Sequence, residues 1–292
     1  MVLMKELGAV FAKARQNKNL TQADLIEKGI SASLLSNLER GVHKLSAENF
    51  IRLMNKLNLT YDEVILLSDS DYHQKRLQLE RSFSEAAKHR NKKKLKSVER
   101  LSEEMFNEFH DIFFDHLRLM ARAWLEVMDC NNEHSAAQQI LNPIKNYLEQ
   151  VKIWGFYEMR LASQCLNMFT IEEALTLGTK LLKVMADNSD FYRNQTFSAV
   201  LLSNLTIYAL DHDRSFEAIS YAQQSISLAS INRDATRSIQ GEILLQLAYY
   251  KEENNFYREK KLKHFLGVLE SLGWESEYEN IKEYIQKHGI DI

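Results

Sequence analysis

Punctuation is almost missing from this chain: its 292 residues include one proline and nine glycines, against average usage of roughly 5% and 7%. Strand-rich folds need turn residues at every reversal, whereas helices need them only at their ends, so this scarcity points to an all-α fold. Hydrophobic residues make up 45% and charged residues 26%, enough to bury a sizeable core and too apolar for a long disordered stretch. No run approaches 18 apolar residues, and Met1-Val2-Leu3-Met4-Lys5 leads into Glu6 and Lys13 rather than an apolar leader core. The expectation is a cytoplasmic protein with no membrane contact. Cys130 and Cys165 stand 35 positions apart without a C-x-x-C, which suits buried reduced thiols rather than a disulfide framework or a sulfur metal site.

The formal charge of −3 conceals an asymmetry. Residues 1–100 hold 19 Lys/Arg against 12 Asp/Glu, and residues 101–292 hold 18 against 28. A positive segment on an acidic protein suits a polyanion, although a solvated charged face gives the same count.

Three regions follow. Residues 1–67 read as five short helices, with stripes at Leu7, Val10, Phe11 and Ala14; Leu25 and Ile26; Leu34, Leu35 and Leu38; and Phe50, Leu53, Met54 and Leu57. Thr21, Ser31, Ser46 and Thr60 are the expected N-caps, and Gly29 and Gly41 the breaks. Residues 68–100 read as a basic linker helix, its charge facing DNA or simply solvated. Residues 101–292 read as helical pairs near 101–153, 155–186, 190–230 and 232–272, closed by a helix near 275–288. Phe169-Thr-Ile171-Glu-Glu-Ala174 is echoed 44 residues later by Ser215-Phe-Glu217-Ala218-Ile219, and Phe216 is echoed 40 residues on by Phe256. That spacing fits a helix-turn-helix repeat array, with an irregular all-α bundle as the alternative. Pro143 suits a helix start or a kink.

The sharpest motif lies in the first region. Leu20-Thr21-Gln22, Leu25, Gly29-Ile30-Ser31, Leu35-Ser36 and Glu39-Arg40-Gly41, preceded by Leu7-Gly8 and Arg15, resemble the helix-turn-helix of the Cro/repressor-like (XRE) DNA-binding family. In that arrangement Thr21 caps the second helix and the turn at Gly29-Ile30 swings a recognition helix into a major groove. Arg15 and Glu39 are placed to pair, tying the first helix to the end of the third. The resemblance puts Ala32, Ser33, Ser36 and Asn37 at groove-facing positions. The Asn37 amide matches the donor and acceptor pair of adenine, and Ala32 can touch a thymine methyl. Gln22, Arg40, His43 and Lys44 would contact phosphates, which position the protein without reading bases. The chain departs from the family pattern in a turn shorter by one residue and in Ile26, where a small alanine is usual.

A second resemblance covers the remainder. Trp154-Gly-Phe-Tyr157-Glu158-Met-Arg160-Leu161, the helix containing Asn204, Ala218 with Tyr221-Ala222, and Gly273-Trp274 look like the C-terminal domain of the Rgg/MutR/GadR family of Gram-positive regulators. The resemblance implies a homodimeric, cytoplasmic transcription regulator that binds double-stranded operator DNA. It also implies a tetratricopeptide-like array that binds a short signalling peptide in quorum sensing, and no cofactor. A curved stack of helix pairs can hold an extended peptide if amides bond its backbone and apolar side chains fill between them. Arg160, Asn167, Asn204, Tyr208, Gln246 and Tyr250 are the candidates, lying near the centres of helices expected to line the inner face; Arg160 can meet a carboxylate.

Catalytic signatures do not occur in the sequence. There is no H-E-x-x-H, G-x-G-x-x-G, G-x-x-x-x-G-K or G-x-S-x-G, and none of the nine histidines follows a glutamate by three positions. Glu104, Glu108, Asp111, Asp115 and His116 would crowd one acidic helix, read as a solvated face or an interdomain contact; Phe109, Phe113, Phe114 and Tyr249-Tyr250 read as core. The rival to a regulator is a non-enzymatic protein scaffold using the helical array.

Overall fold

A computed structural model describes residues 2–68, 71–129, 135–188, 196–253 and 256–291. The chain divides into two compact units, Met1–Phe114 and Asp115–Ile292. Cys130 lies outside the described residues.

The first unit begins with α1 (Val2–Asn17), a 3-10 turn at Ala23–Leu25, α2 (Ala32–Glu39), α3 (Ala47–Lys56) and α4 (Tyr61–Leu67). Ser31, Ser46 and Thr60 cap α2, α3 and α4, each side chain accepting a backbone N–H three residues on, and Glu63 completes a capping box with Thr60. Thr21 does not cap: its backbone N–H and hydroxyl both donate to Asp24 at 2.6 Å. The second helix of the expected five is thus only a single 3-10 turn. The antiparallel bridge between Glu27 and Ile30 pulls the backbone out of helix one residue after it, and Gly29, at φ 93°, makes the reversal. Ile26, 44% exposed, stays outside the packing. Phe11, Ala14, Leu25, Ile30, Leu35, Leu38, Leu53 and Leu57 form the buried core, with Phe50 edge-on to Phe11.

Gly8 sets how closely α1 and α2 approach. A Cβ there would lie 2.0 Å from the carbonyl oxygen of Leu38 and 2.9 Å from its carbon, so the crossing exists only because position 8 has no side chain.

The basic stretch is two helices rather than one linker helix: α5 (Asp71–Lys88) and α6 (Lys92–Phe109). They pack against each other as a hairpin, reversing at Arg90, whose φ is 49°, before Asn91 caps α6 through the Lys94 N–H. The acidic cluster is also divided. His110, at φ 54°, ends α6, and Asp111 starts α7 (Ile112–Asp129) by accepting the Phe113 N–H at 2.9 Å. Asp111 also accepts from Arg76 at 2.6 Å and from the Tyr72 hydroxyl, so it serves structure. Phe113 and Phe114 are buried, whereas Phe109 is 38% exposed.

The second unit continues α7 into α8 (Ser135–Gln150), the pairs α9 (Phe156–Cys165) with α10 (Ile171–Asp187), α11 (Thr196–Asp211) with α12 (Ser215–Ile231), and α13 (Ala235–Glu253) with α14 (Phe256–Ser271), and the closing α15 (Glu275–Lys287). Pro143 lies inside α8 rather than at its first turn, so the Gln139 carbonyl receives no N–H from it. Cys165 is fully buried, and burial pushes its thiol up, as a reduced core cysteine requires. His116 is 3% exposed and bonds Tyr157 through Nδ1 at 2.7 Å.

The first helices of successive pairs pack side by side, α9 on α11 and α11 on α13; α11 and α13 also pack on their own second helices, and α10 packs on α11. That is the repeat array, similar to tetratricopeptide stacking. The α11/α12 seam is close because small residues line it: Ser203 and Ser225 hydroxyls meet at 2.9 Å, and Ser225 donates to the Ala199 carbonyl at 3.0 Å. Leu210, Ala218, Leu247, Leu262, Leu269 and Ile285 carry the core across the last five helices, α11 to α15. Among the described residues no helix is long and apolar enough to cross a membrane.

Candidate functional site

Helix α2 is amphipathic over only eight residues. Leu35 and Leu38 are buried on one side, whereas Ala32 and Ser33 are exposed, Ser36 and Asn37 half-buried, and Arg40 exposed just past its end. Spacings of one, four, five and eight residues put this second set on one face. Asn37 is not idle there: Arg40 Nη2 donates to its Oδ1 at 2.5 Å and its Nδ2 points to Ser33 Oγ at 3.4 Å. The side chain is held in place by these two bonds, and each of its groups keeps a second hydrogen-bonding position for a base edge. His43 and Lys44 are exposed in the following loop.

A polar clamp fixes this face to α1. Arg15 Nε and Nη2 donate to the two carboxylate oxygens of Glu39 at 2.7 and 3.0 Å, and Arg15 Nη1 donates to the Leu20 carbonyl at 2.6 Å. The pairing expected of Arg15 and Glu39 is present in bidentate form. Gln22 Nε2 also donates to Glu39, at 2.8 Å, so its amide nitrogen is held by the clamp. Burial acts against a charged Glu39, but the Arg15 and Gln22 donors outweigh it and hold the carboxyl below the usual glutamate range.

In the second unit the informative element is α11. Nearly all of it is buried; Val200, Asn204, Ile207 and Tyr208 are half-buried and Asp211 is exposed, spaced by four, seven, eight and eleven residues, a single stripe along the helix. Asn204 Nδ2 donates to Ser163 Oγ on α9 at 2.5 Å, and the Tyr208 hydroxyl donates to the Phe169 carbonyl at 2.6 Å. Burial, reinforced by Glu173 and Glu172, pushes the Tyr208 phenol up, so it remains a neutral donor. Arg160, also on α9, lies with its guanidinium carbon 5.6 Å from the Phe156 ring centre.

The stripe leads into a pocket of about 220 Å³ between α11, α13 and α15, lined by Ile207, Gln240, Ile243, Leu244, Asn280, Ile281 and Tyr284. Its lining joins the aliphatic Ile207, Ile243, Leu244 and Ile281 to the carboxamides of Gln240 and Asn280, and the Tyr284 hydroxyl donates to the Ile207 carbonyl at 3.2 Å. Asn204 is tied to α9 at Ser163, three positions after Arg160, and Tyr208 to the Phe169 carbonyl. Asn167 is exposed in the 3-10 turn Leu166–Met168. Gln246 is 3% exposed and its oxygen accepts from Arg258 at 3.1 Å; Tyr250 packs on the core.

Sequence reasoning missed the pocket. Helix α11 is apolar nearly all round, which hides an amphipathic period, and Asn280 and Tyr284 come from the closing helix, remote in sequence from α11. The α11 stripe could have been found from the four- and seven-residue spacing of Val200, Asn204, Ile207 and Asp211 alone.

Residues 92–283 match the family model described as HTH-type transcriptional regulator Rgg, C-terminal domain. The chain belongs to the Rgg family of transcriptional regulators. A helix-turn-helix domain model matches residues 8–70, the region that holds the Arg15–Glu39 clamp and α2. Solved structures share the fold over the whole length. The Streptococcus dysgalactiae SHP pheromone receptor Rgg2 is 20% identical with a TM-score of 0.77, covering 97% of this chain and 100% of that one. A transcriptional regulator from Listeria monocytogenes EGD-e is 16% identical with a TM-score of 0.78, over 99% and 100%. The PrgX/cCF10 complex is 15% identical with a TM-score of 0.68, over 97% and 99%. This Rgg-family chain thus combines a DNA-binding helix-turn-helix with an array whose fold is similar to that of a pheromone receptor.

Proposed function

We propose that the chain is a cytoplasmic, peptide-responsive regulator that binds a two-fold operator as a homodimer, acting through binding rather than catalysis. In this reading residues 1–67 hold the DNA-reading helix and residues 101–292 hold the effector groove and the dimer contact. The observation that carries it is the single open stripe of α11, where Asn204 and Tyr208 run into the pocket of Ile207, Gln240 and Asn280. Alternating amides and aliphatic surface suit an extended peptide, the amides bonding its backbone and the pocket taking one apolar side chain. Support comes from the family match and from relatives of the same fold described as an SHP pheromone receptor and as a PrgX/cCF10 complex. On the DNA side, Asn37 reads a base, Ala32, Ser33 and Ser36 complete the groove-facing surface, and Arg40, His43 and Lys44 contact phosphates.

The test uses synthetic peptides encoded by short open reading frames beside the gene, labelled and titrated with the full-length protein by fluorescence polarisation. At least one should bind with micromolar or better affinity, and Asn204→Ala should weaken it tenfold or more while leaving DNA binding without peptide unchanged. Equal binding by the Asn204→Ala variant would place the effector elsewhere. Saturable binding of none, with operator binding intact, would favour the scaffold use of the array.

A further inference from the structure

The turn of the α5/α6 hairpin carries more positive charge than its fold requires. Between Ala86 and Val98 the chain has six Lys/Arg and no Asp/Glu. Lys88, Arg90, Lys92, Lys93 and Lys96 are exposed, and Lys94 is paired with Glu85 across the hairpin.

The charges at the start of α6 oppose its dipole. Lys92, Lys93 and Lys94 fill the first turn of α6, which has no acidic residue there, while Glu99, Glu103, Glu104 and Glu108 fall in its middle and last turns. A helix dipole favours anions at the N-terminus and cations at the C-terminus, so α6 carries its charges in the reverse of the stabilising order. Violations of a local rule of this kind are expected at functional surfaces. Each helix of the hairpin has 18 residues, which sets its turn about 27 Å from its base. The hairpin and the helix-turn-helix lie in the same compact unit, and a cluster of exposed aliphatic-stemmed cations at the hairpin's turn matches a phosphodiester backbone.

We infer that the α5/α6 turn is a second DNA contact, in which Lys88, Lys93 and Lys96, with their neighbours, bind backbone phosphates outside the bases faced by α2. The inference rests on the DNA-binding reading above. It adds affinity and salt sensitivity without adding sequence information.

The experiment compares the full-length protein with a Lys88→Gln, Lys93→Gln, Lys96→Gln variant on a labelled duplex from the gene's upstream region, by anisotropy between 50 and 200 mM salt. Each lost phosphate contact removes about 0.9 from the slope of log K against log salt, so the triple variant should be shallower by about two to three units. It should also bind at least tenfold more weakly at the lowest salt, where phosphate contacts contribute most, with the same base preferences. Lys93→Gln alone should lose about one unit. A control that removes three exposed lysines of the second unit, Lys152→Gln, Lys183→Gln and Lys260→Gln, should keep the wild-type slope. Circular dichroism should show Lys93→Gln melting no lower than wild type, since it removes a cation from the first turn of α6. A tip slope within half a unit of wild type, or an equal loss in the control, overturns the contact while leaving the DNA-binding reading standing. Wild-type protein that binds neither the upstream duplex nor a random duplex pool overturns both.

Discussion

Replacing Gly8 by alanine is the most exacting test of how the DNA-reading helix is positioned. The new Cβ would sit 2.0 Å from the Leu38 carbonyl oxygen, while ordinary contact begins near 3.4 Å, so α1 and α2 must part by about 1.4 Å in a close-packed core. The obstacle is backbone, so no side chain can swing aside. Overpacking of this kind costs about 1–3 kcal/mol, and alanine's better helix propensity returns about 1 kcal/mol. The net expectation is a loss of up to about 2 kcal/mol, equivalent to as much as roughly 16 °C in the melting of a unit this size. Gly267 is the matched control: mid-helix in α14, with nothing within 4 Å of the added Cβ, its alanine variant should gain up to about 1 kcal/mol. The tryptophans make the two units separable, because Trp124, Trp154 and Trp274 all lie in the second. Gly8→Ala should lower the first transition seen by far-ultraviolet circular dichroism in urea and leave the tryptophan transition in place; Gly267→Ala should move the tryptophan transition upward. DNA affinity of Gly8→Ala should fall tenfold or more, since the strained contact is at Leu38 beside Glu39. A Gly8→Ala protein of unchanged stability and DNA affinity would refute the close crossing.

Other outcomes follow from the clamp and the reading face. Glu39 is held below its usual range by Arg15 and Gln22, so its contribution is complete above the unfolded value of about 4.3 and is lost as pH falls through the lower folded value. Urea titrations of wild type and Glu39→Gln should differ most at neutral pH and converge toward pH 3; a constant difference would contradict the clamp. Arg40→Ala should weaken binding to all sequences and make the salt slope shallower by about one unit. Because Arg40 also holds Asn37 Oδ1, the Asn37→Ala, Arg40→Ala pair should be non-additive in a double-mutant cycle, and strict additivity would show that this bond does not form in solution.

Much of the architecture was legible because helices announce themselves by period and cap. Ser31, Ser46 and Thr60 mark three starts that the structure keeps, the Arg15–Glu39 pair was readable from the motif, and the echo at Phe169 and Ser215 marks the second helices of consecutive pairs. What misled was chemistry that serves two purposes. Thr21 has the composition of a cap, yet Asp24 takes both of its donors. The acidic run through His116 looked continuous until His110 adopted a left-handed conformation, and Pro143, a start signal by statistics, is tolerated inside α8. The effector pocket was invisible for a different reason: Ile207, Gln240 and Asn280 come together only through the packing of three non-consecutive helices.

The central claim is that α2 reads DNA through Asn37 within a two-fold complex, and selection from a random duplex library by the full-length protein tests it most directly. Wild type should enrich related half-sites with centres about 34–36 Å apart, or a multiple of that spacing, and Asn37→Ala should relax preference at one base pair per half-site by about 1–3 kcal/mol while the others persist. Recovery of unenriched sequence by wild type, or an identical enriched motif with Asn37→Ala, would contradict the account.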